Sequence, residues 1–262
     1  MPSLVAFVLV GPETALEGDA VVTSHAALGR GVPALAPWVP EEDPERPLSP
    51  GAARGLSFRF ADQRGEVLAV LIPVPVPGGE ADAAAAASLG RLGAAPGSFP
   101  AHAGHVTVLL ADPGGELRPT EALVRLTRAA AAIADACRAV GVYWGAGNVT
   151  HEAGFFRENA RGLSGDDLAL QLWSGVRLTR AGDRLELLSL GLRQLDLPEL
   201  LLSAPAAQLD EALARFLDLQ ARTVAQGQPP REGEAIDEAA VRYETSPLRD
   251  DEEVWRVELP SS

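Results

Sequence analysis

The sequence predicts an α+β fold in which a largely antiparallel sheet carries helices packed on one face. Three observations predict it. Continuously apolar strands alternate with segments of helical period, and two pairs of short strands are separated by glycine-containing turns. In addition, the order strand, helix, hairpin, helix occurs twice, which indicates a pseudo-duplicated unit.

The first half begins with Leu4–Val10, whose unbroken hydrophobicity is typical of a central strand buried on both faces. A weak helix is expected at 15–28. Residues 56–61 and 66–73 form a predicted hairpin, because the four residues between them end in glycine. An alanine-rich helix follows at 80–92.

A proline- and acid-rich stretch, residues 31–55, interrupts this half. We expect an extended surface loop there, anchored to the body by Trp38. The chain length predicts a single domain over 1–262, with a division into two fused halves, 1–100 and 101–262, as the alternative.

The second half contains the strongest helical pattern of the chain, at 119–140, where apolar residues recur every three or four positions. Its other predicted elements are strands at 105–111, 141–144 and 253–259, a short helix near 152–159, a hairpin of 170–179 with 184–191, and a helix at 205–226.

Composition restricts the function. The formal net charge is −14, from 36 acidic and 22 basic residues, and every basic residue is arginine. This balance argues against nucleic-acid binding and against docking on anionic membranes, both of which need a basic footprint. It suits a protein partner with a basic surface, although solubility alone also explains it.

The cellular compartment is predicted from two features. Cys137 is the single cysteine, so no disulfide can form within the chain. The N-terminus lacks the basic region and cleavage site of a signal peptide, and no apolar run approaches the length of a membrane span. We expect a cytoplasmic protein, and its oligomeric state is left open.

The best candidate site is the stretch VYWGAGNVTH at 142–151. Gly145 and Gly147 permit positive φ or close approach just after a buried strand. Asn148 and His151 then place polar side chains past the strand end, where functional groups are often found. Trp144 is expected to pack under this turn.

Each polar candidate has a structural alternative. His151, next to Glu152, could act as a base or ligand, or it could simply cap the helix that follows or bond loop backbone. Glu199 could be a buried acid facing the glycine turn, or it could cap a helix or face solvent. The binding site predicted from these arguments comprises Trp144, Gly145, Gly147, Asn148, His151, Glu152 and Glu199.

Known catalytic signatures are not found in the sequence. The Gly145-Ala-Gly147 stretch lacks the ending of a phosphate-binding loop, and there is no nucleophile elbow. His102 and His105 are three residues apart but have no third ligand at suitable spacing. We therefore predict no catalytic residue, no metal and no cofactor.

Three stretches resemble a known family. They are VYWGAGNVTH at 142–151, LWSGVRLT at 172–179 with LGLRQLDLPE at 190–199, and GEAID at 233–237 leading to 254–259. Together they resemble the bacterial domain-of-unknown-function family 4261. The resemblance implies a cytoplasmic bacterial protein encoded near secretion or toxin–immunity genes, and it supplies no catalytic residues.

Two functional hypotheses follow. The first is a non-enzymatic binding protein, of the accessory or immunity type, that recognises a protein partner. The alternative is an enzyme or a small-ligand sensor that uses the cleft around Gly145–His151.

Overall fold

The computed structural model describes residues 4–29, 31–38, 55–92, 97, 99–163, 168–228, 235–236, 239–245 and 253–258. Within these ranges the chain forms two β-sheets and five α-helices, and the predicted α+β class is confirmed. No helix in the described ranges has both the length and the apolar character that crossing a bilayer requires.

The first sheet has seven strands in the order β2-β3-β4-β5-β1-β6-β7, and every neighbouring pair is antiparallel. The strands are β1 (Leu4–Val10), β2 (Leu35–Pro37), β3 (Gly55–Phe60), β4 (Glu66–Ile72), β5 (Gly104–Ala111), β6 (Gly141–Trp144) and β7 (Val149–Glu152). As its continuous hydrophobicity predicts, β1 lies in the interior of this sheet, between β5 and β6.

Both faces of β1 are covered. Val8 belongs to the main core, to which α1 (Gly18–Ala27), α3 (Pro119–Ala136) and α4 (Ala153–Gly162) contribute. Its neighbour Leu9 points to the other face, because side chains alternate along a strand. There it joins a smaller cluster with Tyr143 and with the alanines of α2 (Glu80–Ala85). Helices α1, α3 and α4 thus share one face of this sheet, and α2 covers part of the other.

A strand–helix–hairpin–helix unit occurs twice around this sheet. The first unit runs β1, α1, the β3–β4 hairpin and α2, with β2 inserted before the hairpin, and the second runs β5, α3, the β6–β7 hairpin and α4. The first strand of each unit pairs with the hairpin of the other, β1 with β6 and β5 with β4. The two units therefore form one continuous sheet.

The second sheet has the order β11-β12-β13-β10-β9-β8. Its strands are β8 (Gly175–Ala181), β9 (Arg184–Leu190), β10 (Glu199–Pro205), β11 (Ala235–Ile236), β12 (Ala239–Thr245) and β13 (Glu253–Glu258). Only β10 and β13 are parallel among its described pairs. Helix α5 (Leu209–Gln226) packs on one face through Phe216, which shares a core with Leu200 and Trp255.

Three predicted details require correction or lie outside the described residues. Residues 149–152 form a strand rather than a loop, since Val142 and Tyr143 pair with His151 and Thr150. Strand β8 begins at Gly175, because residues 170–172 form a 3-10 turn. Within the predicted 31–55 loop, residues 35–37 form strand β2, which pairs with β3, and residues 39–54 lie outside the described residues. Trp38, its predicted anchor, packs with its ring 4.0 Å from the Arg59 guanidinium carbon.

Candidate functional site

The turn between β6 and β7 is a 3-10 turn at Gly145–Gly147, and its backbone differs from the prediction. Neither glycine has positive φ. The left-handed conformation is carried by Asn148, with φ 48°. Asparagine tolerates this region because its short polar side chain can hydrogen-bond locally. The expectation that positive φ requires Gly145 or Gly147 is therefore wrong.

Gly147 is required for close approach instead. A Cβ atom at this position would overlap the carbonyl oxygen of Trp173. A Cβ on Gly175 would lie 2.6 Å from the Gly147 carbonyl oxygen, and one on Gly191 would lie 2.5 Å from that of Trp173. We call Gly147, Trp173, Gly175 and Gly191 the glycine junction, because backbone from the first sheet meets backbone from the second there.

The polar groups around the glycine junction are hydrogen-bonded to one another. The Trp144 indole Nε1 donates to Gln194 Oε1 at 2.7 Å, and Gln194 Nε2 donates to the Trp173 carbonyl at 2.8 Å. The Trp173 indole Nε1 donates to Thr127 Oγ1 at 2.7 Å. Both tryptophans are 1% exposed. This arrangement assigns Trp144 a structural role in joining the sheets.

Glu199 lies beside the glycine junction. Its carboxylate accepts hydrogen bonds from Ser189 Oγ at 2.5 Å, from the Gly191 amide at 2.7 Å and from the Arg193 amide at 3.4 Å. Burial raises the pKa of Glu199, and these hydrogen bonds act in the opposite direction. The carboxylate fixes the turn after β9.

His151 and Glu152 belong to a different place, a cavity of about 190 Å³ at the outer edge of β7. The lining residues are Ser88, Arg91, Thr150, His151, Glu152 and Phe155. Arg91 Nη1 and Glu152 Oε1 form an ion pair at 2.9 Å, and the Glu152 side chain is 61% exposed. Two of the seven predicted residues thus line this cavity, and none of the other five does.

His151 is the most unusual group of the cavity. It is 5% exposed, and burial lowers the pKa of the imidazole to about 4, against an opposing contribution from the Gln171 and Leu172 backbone. The ring is therefore neutral at pH 7. Its Nε2 is buried and has no hydrogen-bond partner among the described residues, and the same holds for the Thr150 hydroxyl. The Phe155 ring stacks on the imidazole at 5.4 Å.

Ser88 closes the edge of β7. Its hydroxyl donates to the Thr150 carbonyl at 2.8 Å and accepts from the Thr150 amide at 3.1 Å, as a neighbouring strand would. Sequence reasoning missed Ser88 and Arg91 because they lie at the end of an alanine-rich segment interpreted as one helix. Thr150 adjoins His151 in β7, and Phe155 lies in the first turn of α4, so both are close in sequence to the predicted residues.

The remaining candidates have structural partners. His102 Nε2 accepts from the Val76 amide at 3.0 Å, and His105 Nδ1 lies 2.9 Å from the Val74 carbonyl oxygen. Cys137 is buried at the end of α3, and burial raises the pKa of its thiol to about 11. The described residues contain no group of three or more His, Cys, Asp or Glu side chains placed to hold a metal ion.

Comparison with known proteins adds no relative: no family model, curated protein or solved structure matches this chain.

Proposed function

We propose that this chain is a non-enzymatic binding protein that recognises a protein partner, and that an extended segment of the partner adds to the free edge of β8. The observation that carries this proposal is the backbone of β8 beyond Val176. Adding a strand to a sheet edge is a common mode of peptide recognition, in which main-chain hydrogen bonds supply much of the affinity.

The direction of the free edge follows from one hydrogen bond. The Val176 amide, at the start of β8, donates away from β9 to the Ala87 carbonyl at 2.9 Å. Because antiparallel pairing alternates, Leu178 and Arg180 direct their amides and carbonyls to the same side as Val176. Among the described residues, no backbone hydrogen bond reaches the Leu178 or Arg180 amide from that side.

The side chains along this edge indicate the chemistry of the partner segment. Residues 177–180 are all exposed, and Leu178 is one of the few large apolar side chains on the surface, at 36% exposure. Arg177 and Arg180 make the edge locally basic. An extended segment with acidic side chains fits it, while the −14 charge of the whole chain still favours a basic surface elsewhere on that partner.

The His151 cavity supports binding more than catalysis. The Ser88 hydroxyl is hydrogen-bonded to the backbone of β7, and Glu152 is paired with Arg91. Neither is arranged as a nucleophile or acid beside the imidazole. One of the three stretches that resemble domain-of-unknown-function family 4261, residues 172–179, includes most of β8. This resemblance supports a bacterial, cytoplasmic accessory or immunity role.

The test is capture from the native host with matched variants. Leu178→Pro removes one outward amide but no ladder hydrogen bond, and proline is tolerated on an edge strand in that position. We expect one reproducible partner that binds wild type and the exposed α5 control Glu211→Gln, and that is lost with Leu178→Pro. The double variant Arg177→Glu with Arg180→Glu should also weaken binding, because its negative charges repel an acidic partner segment.

The complex itself supplies the second readout. Amide exchange at Leu178 and Arg180 should slow when the partner is bound. A partner that binds all variants equally, or that leaves these two amides unprotected, would refute the β8 assignment.

A further inference from the structure

We infer that the β8 edge accepts a short antiparallel segment with a defined pattern. In chain order, this segment carries an acidic residue, a β-branched residue, an apolar residue and a second acidic residue. The inference rests on the proposed function and adds to it the length, the direction and the sequence class of the partner segment.

The open part of β8 is limited at both ends. At the start of the strand, the Ala87 carbonyl already accepts a hydrogen bond from the Val176 amide at 2.9 Å. At the other end the chain turns at Gly182, whose φ is 67°. Between these ends, Leu178 and Arg180 direct their backbone groups outward, and each can exchange hydrogen bonds with a partner strand. A segment of about five residues fills this length.

The short length of the open edge favours an antiparallel partner. In antiparallel pairing, Leu178 and Arg180 would each exchange both hydrogen bonds with one directly facing residue. A parallel strand would distribute the same bonds over residues on either side of each facing position, so it would need a longer segment, and its pairing is slightly less stable per residue. The partner segment therefore runs opposite to β8, and its first acidic residue faces Arg180.

The side chains of β8 specify the pattern, because directly facing residues of an antiparallel pair lie on the same face of the sheet. Leu178 pairs with the buried Leu187 of β9, so an apolar partner residue would extend this apolar row. Thr179 suits a β-branched neighbour. Arg177 and Arg180 are exposed and form no ion pair among the described residues, so a facing carboxylate would complement each of them.

The same two arginines disfavour a second copy of this chain as the occupant. Pairing of two β8 edges would bring the arginines of both copies to one seam, where like charges are destabilising. Charged side chains on an edge strand commonly prevent such self-pairing. The edge therefore selects an acidic segment from a different protein.

An amide NMR titration of the whole chain with short peptides, up to millimolar concentration, tests the pattern. The probe peptide carries glutamate, threonine, valine and glutamate in that order between glycines. The control peptide has the same composition in the order valine, glutamate, glutamate and threonine, which places its carboxylates opposite Thr179 and Leu178. We expect the probe to shift the Leu178 and Arg180 amides, and the control to bind about tenfold more weakly.

Charge exchange tests the register and the direction. Arg177→Glu should weaken binding of the probe about fivefold, the upper range for an exposed ion pair. A peptide with arginine in place of the last glutamate should recover the affinity lost with this variant, whereas arginine in place of the first glutamate should not. Arg161→Glu makes the same charge change on an exposed residue of α4 and should leave binding of every peptide unchanged.

Three results would overturn the inferred segment. They are no shift with the probe, equal binding of probe and control, and recovery through the first glutamate rather than the last. The proposed function fails separately: it is refuted if the partner captured from the host binds Leu178→Pro as it binds wild type. A host partner that requires Leu178 while the probe does not bind would retain the edge and reject the pattern.

Discussion

Strands β7 and β8 lie at the edges of the two sheets, and the same short segment, residues 87–88, covers them to very different extents. Ser88 covers β7 by hydrogen-bonding both backbone groups of the buried Thr150. The preceding residue, Ala87, covers β8 only at Val176. Residues 177–180 of β8 are exposed.

The difference shows where this protein can accept a partner strand. Proteins usually cover or charge their free sheet edges, because an open edge is a template for another chain. Here β7 is capped by a side chain that imitates a strand, whereas β8 carries arginines and remains open. The glycine junction fixes the two edges relative to each other, since only Asn148 separates Gly147 from β7, and Gly175 begins β8.

The largest expected effect comes from breaking that connection with Gly147→Ala. The added Cβ would overlap the Trp173 carbonyl, and backbone on both sides leaves little room to relax. We expect a loss of about 3 kcal/mol or more in unfolding free energy, measured by chemical denaturation. Ala146→Ser, on the exposed neighbour, is the control. An unchanged midpoint for Gly147→Ala would mean that the sheets do not meet at this point.

A smaller effect is expected from uncovering β7 with Ser88→Ala. The buried amide and carbonyl of Thr150 would lose their shared partner, which costs about 1–3 kcal/mol. Ser24→Ala removes a half-buried hydroxyl that donates to Asp135, and should cost less. Equal losses for the two variants would show that the Ser88 contact does not close the edge.

The pH dependence of stability tests the burial of His151 beside the capped edge. The folded pKa of His151 is about 4, against the ordinary 6.5 of an exposed imidazole, so between these pH values the unfolded chain binds the extra proton. Stability is therefore fully present above pH 6.5 and falls toward pH 4, by up to about 1.4 kcal/mol per pH unit.

The difference between wild type and His151→Phe isolates this slope from other groups, including Glu199, whose raised pKa contributes with the opposite sign. Asn159→Ala should leave the slope unchanged. Parallel curves for wild type and His151→Phe would place the imidazole in solvent.

Much of the fold could be predicted from the sequence, because its signals are local. The apolar run of β1, the helical period of α3 and the glycine turn of the β3–β4 hairpin each specify an element directly. The β6–β7 hairpin was missed because β7 is only four residues long and begins after a left-handed asparagine, where glycine was expected.

The site could be predicted only in part. His151 and Glu152 follow the glycine turn in sequence, and they do line the cavity. Ser88 and Arg91 are about sixty residues away along the chain and reach it through tertiary packing. Gly147 was selected correctly for close approach, but its contact, the backbone of Trp173, also depends on how the two sheets meet.

Amide hydrogen exchange of the free protein tests the contrast between the two edges most directly. The Thr150 amide, held by Ser88, should exchange close to the rate set by global unfolding, as should the Thr179 amide, which faces β9. The Leu178 and Arg180 amides should exchange at least about a hundredfold faster than that of Thr179. If Leu178 and Arg180 were protected as strongly as Thr179, the β8 edge would be covered in the free protein, and the proposed docking site would be wrong.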